Sequence, residues 1–272
     1  MDEEMIQKES EEEIGDEGEE LPVHLGGKRV VKTGCSRCGE CCTSGTPVLL
    51  RDDLQLFRSG VLSLETVYAV REGERQRSPQ DGEFYESPLE LLRVREQKDT
   101  NVCTFFGGDE GCGIYETRPL QCRRFACWRP GDVRPGLQEE RLSRSDLFGD
   151  VEFLMQVMAR HEEKCSYRKL ADAVERAAGG DEDAAEEVLD VLRYDTHMRS
   201  YLKEKFSLSD NAVDLILGRA LTDTVVGFGL QVRQEGDEYV VTPLEKAKPD
   251  CETEKACTIE MDCHNCQKRE DA

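Results

Sequence analysis

The chain has 272 residues, of which 38% are hydrophobic and 35% charged, enough for one or two domains with a core. Its net charge is −22 and it has no long basic stretch, which argues against binding to the phosphate backbone of nucleic acid. No segment approaches the about 18 apolar residues of a membrane span, and the N-terminal residues lack the apolar core of a secretory signal. We therefore expect a cytoplasmic protein that contacts neither nucleic acid nor membrane.

The N-terminal segment is strongly acidic. Residues 1–20 hold eleven acidic side chains against one basic side chain, that of Lys8. Such a segment cannot bury enough apolar surface to fold, so the sequence predicts a disordered tail over residues 1–22. A solubilising role is favoured for this tail over docking of a protein partner.

Residues 33–130 are predicted to form a small irregular domain of short strands and helices around clustered cysteines. In chain order its elements are a strand at 47–50, a helix at 51–60, a second helix capped by Ser63 with Leu64, Val67 and Tyr68 on its apolar face, a loop at 71–88 and a strand at 89–96.

Apolar residues recur at helical spacing between residues 143 and 222, which predicts a mainly α-helical lobe. The groups lie at 151–158, 170–177, 188–202 and 213–217. A β-hairpin is predicted at 228–244, around Glu235-Gly236-Asp237. The expected fold is therefore α+β, with a cysteine-rich domain followed by a helical lobe that could also contact a protein partner.

Eight cysteines in two clusters dominate the predicted domain. The first cluster reads C-S-R-C-G-E-C-C, and the second reads C-x8-C-x9-C-x4-C after a gap of sixty residues. Since the chain has thirteen cysteines, complete internal disulfide pairing is impossible, and a reducing compartment favours metal binding. Thiolates suit zinc and iron–sulfur clusters. The candidate ligands are Cys35, Cys38, Cys41, Cys42, Cys103, Cys112, Cys122 and Cys127.

Details of the first cluster leave several arrangements open. Gly39 stands where a turn that aims two sulfurs at one ion often needs positive φ. The C-x2-C-x2-C run opens the pattern of bacterial ferredoxins, but the C-x3-C-P continuation is absent. Successive side chains of an extended chain point to opposite sides, so Cys41 and Cys42 reach one ion only through a twist. The thiols could bind two centres, one centre with Cys42 spare, or a polynuclear site.

Arginines and aromatic residues surround the second cluster. A metal held by four thiolates is anionic, so its burial requires compensating donors. The candidate donors are Arg118, Arg123, Arg124 and Arg129. The candidate shielding residues are Phe105, Phe106, Phe125 and Trp128. Surface ion pairs and ordinary core packing are the alternative explanations.

The remaining metal-ligand types are scattered. The histidines are expected at the surface: His24, His161, His197 and His264. Cys165 stands alone in the sequence and is interpreted as structural. Four cysteines in the tail over residues 249–272 suggest a second metal site, with incidental or regulatory thiols as the alternative: Cys251, Cys257, Cys263 and Cys266.

The two clusters together resemble the YkgJ-type cysteine-cluster family, which is described as a putative zinc- or iron-chelating domain. The likeness covers roughly residues 33–130 and also rests on Gly111-Cys112, Ile114-Tyr115, Glu116, Arg118-Pro119 and Cys122-Arg123. The resemblance implies as ligands Cys35, Cys38, Cys41, Cys42, Cys103, Cys112 and Cys122. Family members often continue with Phe-Pro where this chain has Phe125-Ala126, so the likeness does not extend to Cys127.

These patterns favour a metal-binding protein that holds an iron–sulfur cluster, 4Fe–4S in preference, or Zn²⁺. An alternative is a cluster-dependent enzyme, either redox or methyltransferase-like, because a related cysteine cluster occurs in flagellin lysine-methylating proteins. A second alternative is a metal chaperone or storage protein, which would suit the spare thiol and the cysteine-containing tail.

Overall fold

The computed structural model describes residues 23–25, 28–30, 34–78, 82–126, 140–235 and 238–244. Short antiparallel strands and helices alternate in its first half, and helices dominate after residue 144. The predicted α+β class is therefore confirmed. The acidic segment 1–22, the cysteine-containing tail 249–272 and the residues Cys127, Trp128 and Arg129 lie outside the described residues.

The first half consists of brief elements linked by turns. The strands are β1 (Val23–Leu25), β2 (Lys28–Val30), β3 (Val67–Val70), β4 (Arg75–Arg77), β5 (Phe84–Glu86) and β6 (Leu91–Val94). The helices are α1 (Glu40–Thr43), α2 (Leu54–Arg58) and α3 (Leu120–Arg124), with a 3-10 turn at Arg51–Asp53 leading into α2.

The second half contains the helices that the apolar spacing predicts: α5 (Glu152–Lys164), α6 (Tyr167–Ala178), α7 (Glu182–Phe206) and α8 (Asp210–Leu217). Two short helices that it does not predict are also present, and in chain order they are α4 (Arg144–Phe148) and α9 (Leu221–Thr224). The side chains of Ser143, Asp181 and Ser209 accept hydrogen bonds from the first turns of α4, α7 and α8, which fixes where these helices begin. Strands β7 (Leu230–Glu235) and β8 (Glu238–Pro243) form the predicted antiparallel hairpin.

The helix predicted after Ser63 is wrong. Ser63 and Thr66 instead close a turn, in which the Ser63 amide donates to the Thr66 hydroxyl at 3.0 Å. The chain then enters β3, which pairs antiparallel with β6. All four residues of β3 are buried, so its apolar run reads equally well as helix or strand. The packing of α8 against β3 decides in favour of the strand.

The loop predicted at 71–88 is also wrong, because it contains the hairpin of β4 and β5. Arg75 pairs with Glu86 across this hairpin at 3.2 Å. Every residue of β5 is exposed, which removes the alternation of polar and apolar residues by which a strand is recognised in sequence. The strand expected at 89–96 is confirmed as β6, and residues 47–50 run along it, with the Leu49 amide donating to the Leu92 carbonyl at 2.8 Å.

The two halves share a hydrophobic core, which is one of two buried clusters among the described residues. Side chains of β3 and β6 pack with those of α5, α7 and α8 in a single buried cluster. Its fully buried members include Leu49, Val67, Leu92, Leu202 and Leu215. The strands that lead to the second cysteine cluster are therefore held by the helices, and the position of that cluster depends on the whole core.

Candidate metal centre

The first cysteine cluster folds as a tight turn followed by one turn of helix. Gly39 has a φ of +81°, as predicted, and a Cβ built there would lie 2.2 Å from Cζ of Phe106. Helix α1 begins at the next residue, so Cys41 and Cys42 are successive residues of a helical turn rather than of an extended strand. Their side chains diverge by about 100° instead of 180°, and their Sγ atoms lie 3.9 Å apart.

Backbone contacts bring the second cluster to the first. The Cys103 amide donates to the Cys42 carbonyl at 2.8 Å, which ties the two clusters directly together. Cys112 follows Gly111, whose φ is +74°. The backbone of Cys112 forms an isolated antiparallel β-bridge with that of Phe106. Cys122 lies on α3, and the Leu120 amide at the start of this helix donates to Oδ1 of Asp53 at 2.8 Å. These contacts hold the two cysteine clusters, which are far apart in sequence, next to each other.

Seven cysteines line a single cavity of about 70 Å³. They are all of the predicted ligands except Cys127: Cys35, Cys38, Cys41, Cys42, Cys103, Cys112 and Cys122. The rest of the wall is largely apolar and includes Phe105, Phe106 and Phe125. Seven soft donors in an apolar pocket that has room for several atoms fit a thiolate-bound metal or small cluster. The eighth candidate, Cys127, lies outside the described residues.

The predicted arginine donors separate into two groups. Arg118 lines the cavity, and its Nε and Nη1 atoms are buried without a hydrogen-bond partner among the described residues. Arg123 and Arg124 are exposed and are not among the cavity-lining residues. A cation that the sequence did not single out, Arg37, also lines the cavity. Its amide N–H donates to the Cys35 sulfur at 3.4 Å, an interaction that stabilises a thiolate.

Residues 34–153 match a family model, that of the CxxCxxCC domain, described as a putative zinc- or iron-chelating domain. Residues 34–153 are therefore similar to the CxxCxxCC domain, and this matched region is called the CxxCxxCC domain below. The match includes all seven cavity-lining cysteines and reaches the start of α5. It supports metal binding, with zinc or iron as the metal. Searches for similarity found neither a curated protein nor a solved structure that matches the chain.

The thiols of the CxxCxxCC domain raise each other's pKa. The contact with Cys41, followed by burial and by the charges of Cys41, Cys103 and Cys112, raises the pKa of Cys42 far above its ordinary value. Burial is the main cause of the raised pKa of Cys103. Packed thiolates repel one another, so their joint ionisation requires a compensating cation, which a bound metal supplies.

A second group of metal-ligand types lies outside the CxxCxxCC match. Atoms of His161, Cys165 and Asp195 that could bind a metal lie within 4.8 Å of one another, and all three residues are buried. The prediction of a surface position for His161 is therefore wrong, and Cys165 is not isolated in space; His197 is exposed as predicted. Only the i, i+4 spacing of His161 and Cys165 could have signalled the group, because Asp195 comes from another helix.

The charges around this buried group already balance. Asp195 accepts from Nε2 of His161 at 2.7 Å and from Nε of Arg199 at 2.9 Å. Although burial acts to raise it, these two partners hold the pKa of Asp195 well below its ordinary value. Arg71 pairs with Glu162 at 3.2 Å. Burial raises the pKa of the Cys165 thiol to about 12, so it is neutral. An added cation would leave positive charge uncompensated, which makes the group a structural network.

None of the helices in the described part of the chain is both long and apolar enough to cross a membrane.

Proposed function

We propose that the CxxCxxCC domain holds one metal centre through thiolates of both cysteine clusters. The observation that carries the proposal is the convergence of seven cysteines on one cavity, although the two clusters are sixty residues apart in sequence. The proposed ligands are drawn from Cys35, Cys38, Cys41, Cys42, Cys103, Cys112 and Cys122. We place the protein in the cytoplasm, where free thiols persist and metals are their usual partners.

An iron–sulfur cluster is the favoured occupant. Seven thiols exceed the four that one zinc ion takes, and C-x2-C-x2-C with remote cysteines is a pattern that binds clusters. Phenylalanine side chains on the cavity wall would limit access of water to the sulfurs, which is one means by which proteins tune a cluster. When bound, such a cluster supplies one-electron redox chemistry. Zinc with four of the thiolates is the alternative.

A metal carrier is a second candidate function. Cys38 is exposed, whereas Cys103 is buried. An exposed thiol in a cluster whose other thiols are partly or fully buried offers an incoming chelator a first point of attack. Rapid loss of the metal to a competing chelator would favour this function over a permanently bound centre.

Metal and acid-labile sulfide analysis of the full chain, purified without oxygen, tests the proposal. Iron with an equal amount of sulfide and broad visible absorption is the expected result. Zinc without sulfide and without colour would assign a zinc site instead. Protein that contains neither metal, and takes up neither when it is added under reducing conditions, would overturn the proposal.

A further inference from the structure

Tyr115 forms a stack with two arginines at the wall of the thiol cavity. The guanidinium carbons of Arg37 and Arg118 both lie 3.8 Å from the centre of the Tyr115 ring. Arg37 also pairs with Glu116 at 3.3 Å. A cation–π contact holds a guanidinium through its face and does not use its N–H groups. The N–H donors of Arg118 therefore stay available for another partner.

The backbone at Arg37 adopts an unfavourable conformation in the same region. Its φ is +58°, in the left-handed region that non-glycine residues rarely occupy. Such a conformation is sterically unfavourable for a residue with a Cβ. It lies between Cys35 and Cys38, and it accompanies both the amide contact with the Cys35 sulfur and the stack on Tyr115. Strain of this kind persists where the surroundings hold it, and it often marks a binding site.

Among the described residues that line the cavity, Arg118 has buried donor atoms without a hydrogen-bond partner. Its Nε and Nη1 atoms are buried and have no partner among the described residues, and leaving such donors unsatisfied is costly. The guanidinium is within electrostatic range of the sulfurs of Cys35 and Cys122. A part-buried guanidinium with unpartnered N–H groups beside thiols matches an anionic partner and would repel a cationic one.

We infer that Arg118 donates hydrogen bonds to the metal-bound sulfurs, that the occupied centre is therefore a net anionic metal–thiolate assembly, and that Tyr115 and Arg37 position Arg118 for this contact. The inference rests on the proposed function, and it names which of the predicted arginines serves the centre. Arg123 and Arg124 are on the exposed side of α3 and have no such role. Donors to metal-bound groups affect affinity by 10–100-fold when they are removed.

The test compares metal retention in Arg118→Met with that in the wild type and in Arg123→Met. Each full-length protein is loaded with its metal and titrated with a competing chelator, and metal release is followed by absorbance or with a metal indicator. Arg118→Met is expected to lose its metal at roughly 10–100-fold lower chelator concentration. Arg123→Met, which removes an arginine five residues away on an exposed surface, is expected to match the wild type.

Two further variants examine the positioning by Tyr115. Tyr115→Phe keeps the aromatic ring and is expected to retain the metal more tightly than Tyr115→Leu, which removes the ring. Thermal unfolding of the metal-free proteins shows whether a variant has lost its fold. If it has, the comparison is made with Arg118→Lys, which keeps the charge but not the planar fork and is expected to weaken retention less.

The outcomes separate the inference from the proposed function. A wild type that binds no metal overturns both. A wild type that binds metal, together with a folded Arg118→Met of unchanged chelator resistance, overturns the inference alone, as does an unchanged Arg118→Lys where Arg118→Met does not fold. Equal losses in Arg118→Met and Arg123→Met would also overturn it, because a general effect of positive charge would then account for the result.

Discussion

Gly39→Ala is expected to destabilise the CxxCxxCC domain by about 2–5 kcal/mol and to weaken metal retention at least tenfold. Two costs add: an alanine at a φ of +81° pays about 1–2 kcal/mol for the left-handed conformation, and its Cβ would overlap the ring of Phe106 at 2.2 Å. Displacing that ring costs about 1–3 kcal/mol. It also moves the turn that orients the first cluster and the wall of the cavity together.

Gly60→Ala is the matched control for this prediction. Gly60 has a φ of +77°, but a Cβ there meets nothing within 4 Å. Gly60→Ala therefore introduces the unfavourable left-handed conformation but no steric overlap, and Gly60 does not line the cavity. Urea unfolding and chelator titration of both variants measure the difference. Equal losses of stability and of metal retention in the two would contradict the contact between Gly39 and Phe106.

Asp195→Ala is expected to lower the free energy of unfolding by about 3–5 kcal/mol. The carboxylate, which is 1% exposed, accepts from His161 and Arg199, and also from the Leu221 amide at 2.9 Å. Alanine leaves these three donors without their acceptor, with the positive charge of Arg199 only partly matched by Asp214. Unfolding in urea, followed by circular dichroism, gives the value.

Asp190→Ala on the same helix is the control for the buried carboxylate. Asp190 pairs with Arg193 at 3.2 Å, but its side chain is 71% exposed. Exposed pairs of this kind contribute about 0.2–1 kcal/mol. A loss below 1 kcal/mol in Asp195→Ala, close to that in Asp190→Ala, would show that the buried network does not hold α5, α7 and α9 together.

The helices were predictable from sequence because the information that specifies them is local. Apolar residues such as Leu154 and Met158 in α5 repeat at helical spacing, and Ser209 marks the start of α8 by capping its first turn. The segment after Ser63 was not predictable, since the run Val67–Val70 is buried throughout and the choice between helix and strand depends on α8, more than a hundred residues later.

The candidate site was predictable in its chemistry and only partly in its geometry. The spacing of the cysteines indicates a metal-binding role, and the glycine at position 39 indicates the turn. The short helix that lets both Cys41 and Cys42 face the cavity has no sequence signal of its own, because four residues are too few to show a period. Likewise, nothing in the local sequence distinguishes Arg118 from Arg123, since burial beside Tyr115 is a property of the assembled fold.

The claim that one centre draws its ligands from both cysteine clusters is tested most directly by the metal content of Cys41→Ser and Cys112→Ser, measured against the wild type and against Cys165→Ser. Each of the first two variants is expected to lose most of its bound metal, because one cavity contains both thiols. Cys165→Ser, which alters a buried cysteine outside the cavity, is expected to retain it. Full metal content in both cavity variants, or loss of about half in each, would contradict a single shared centre.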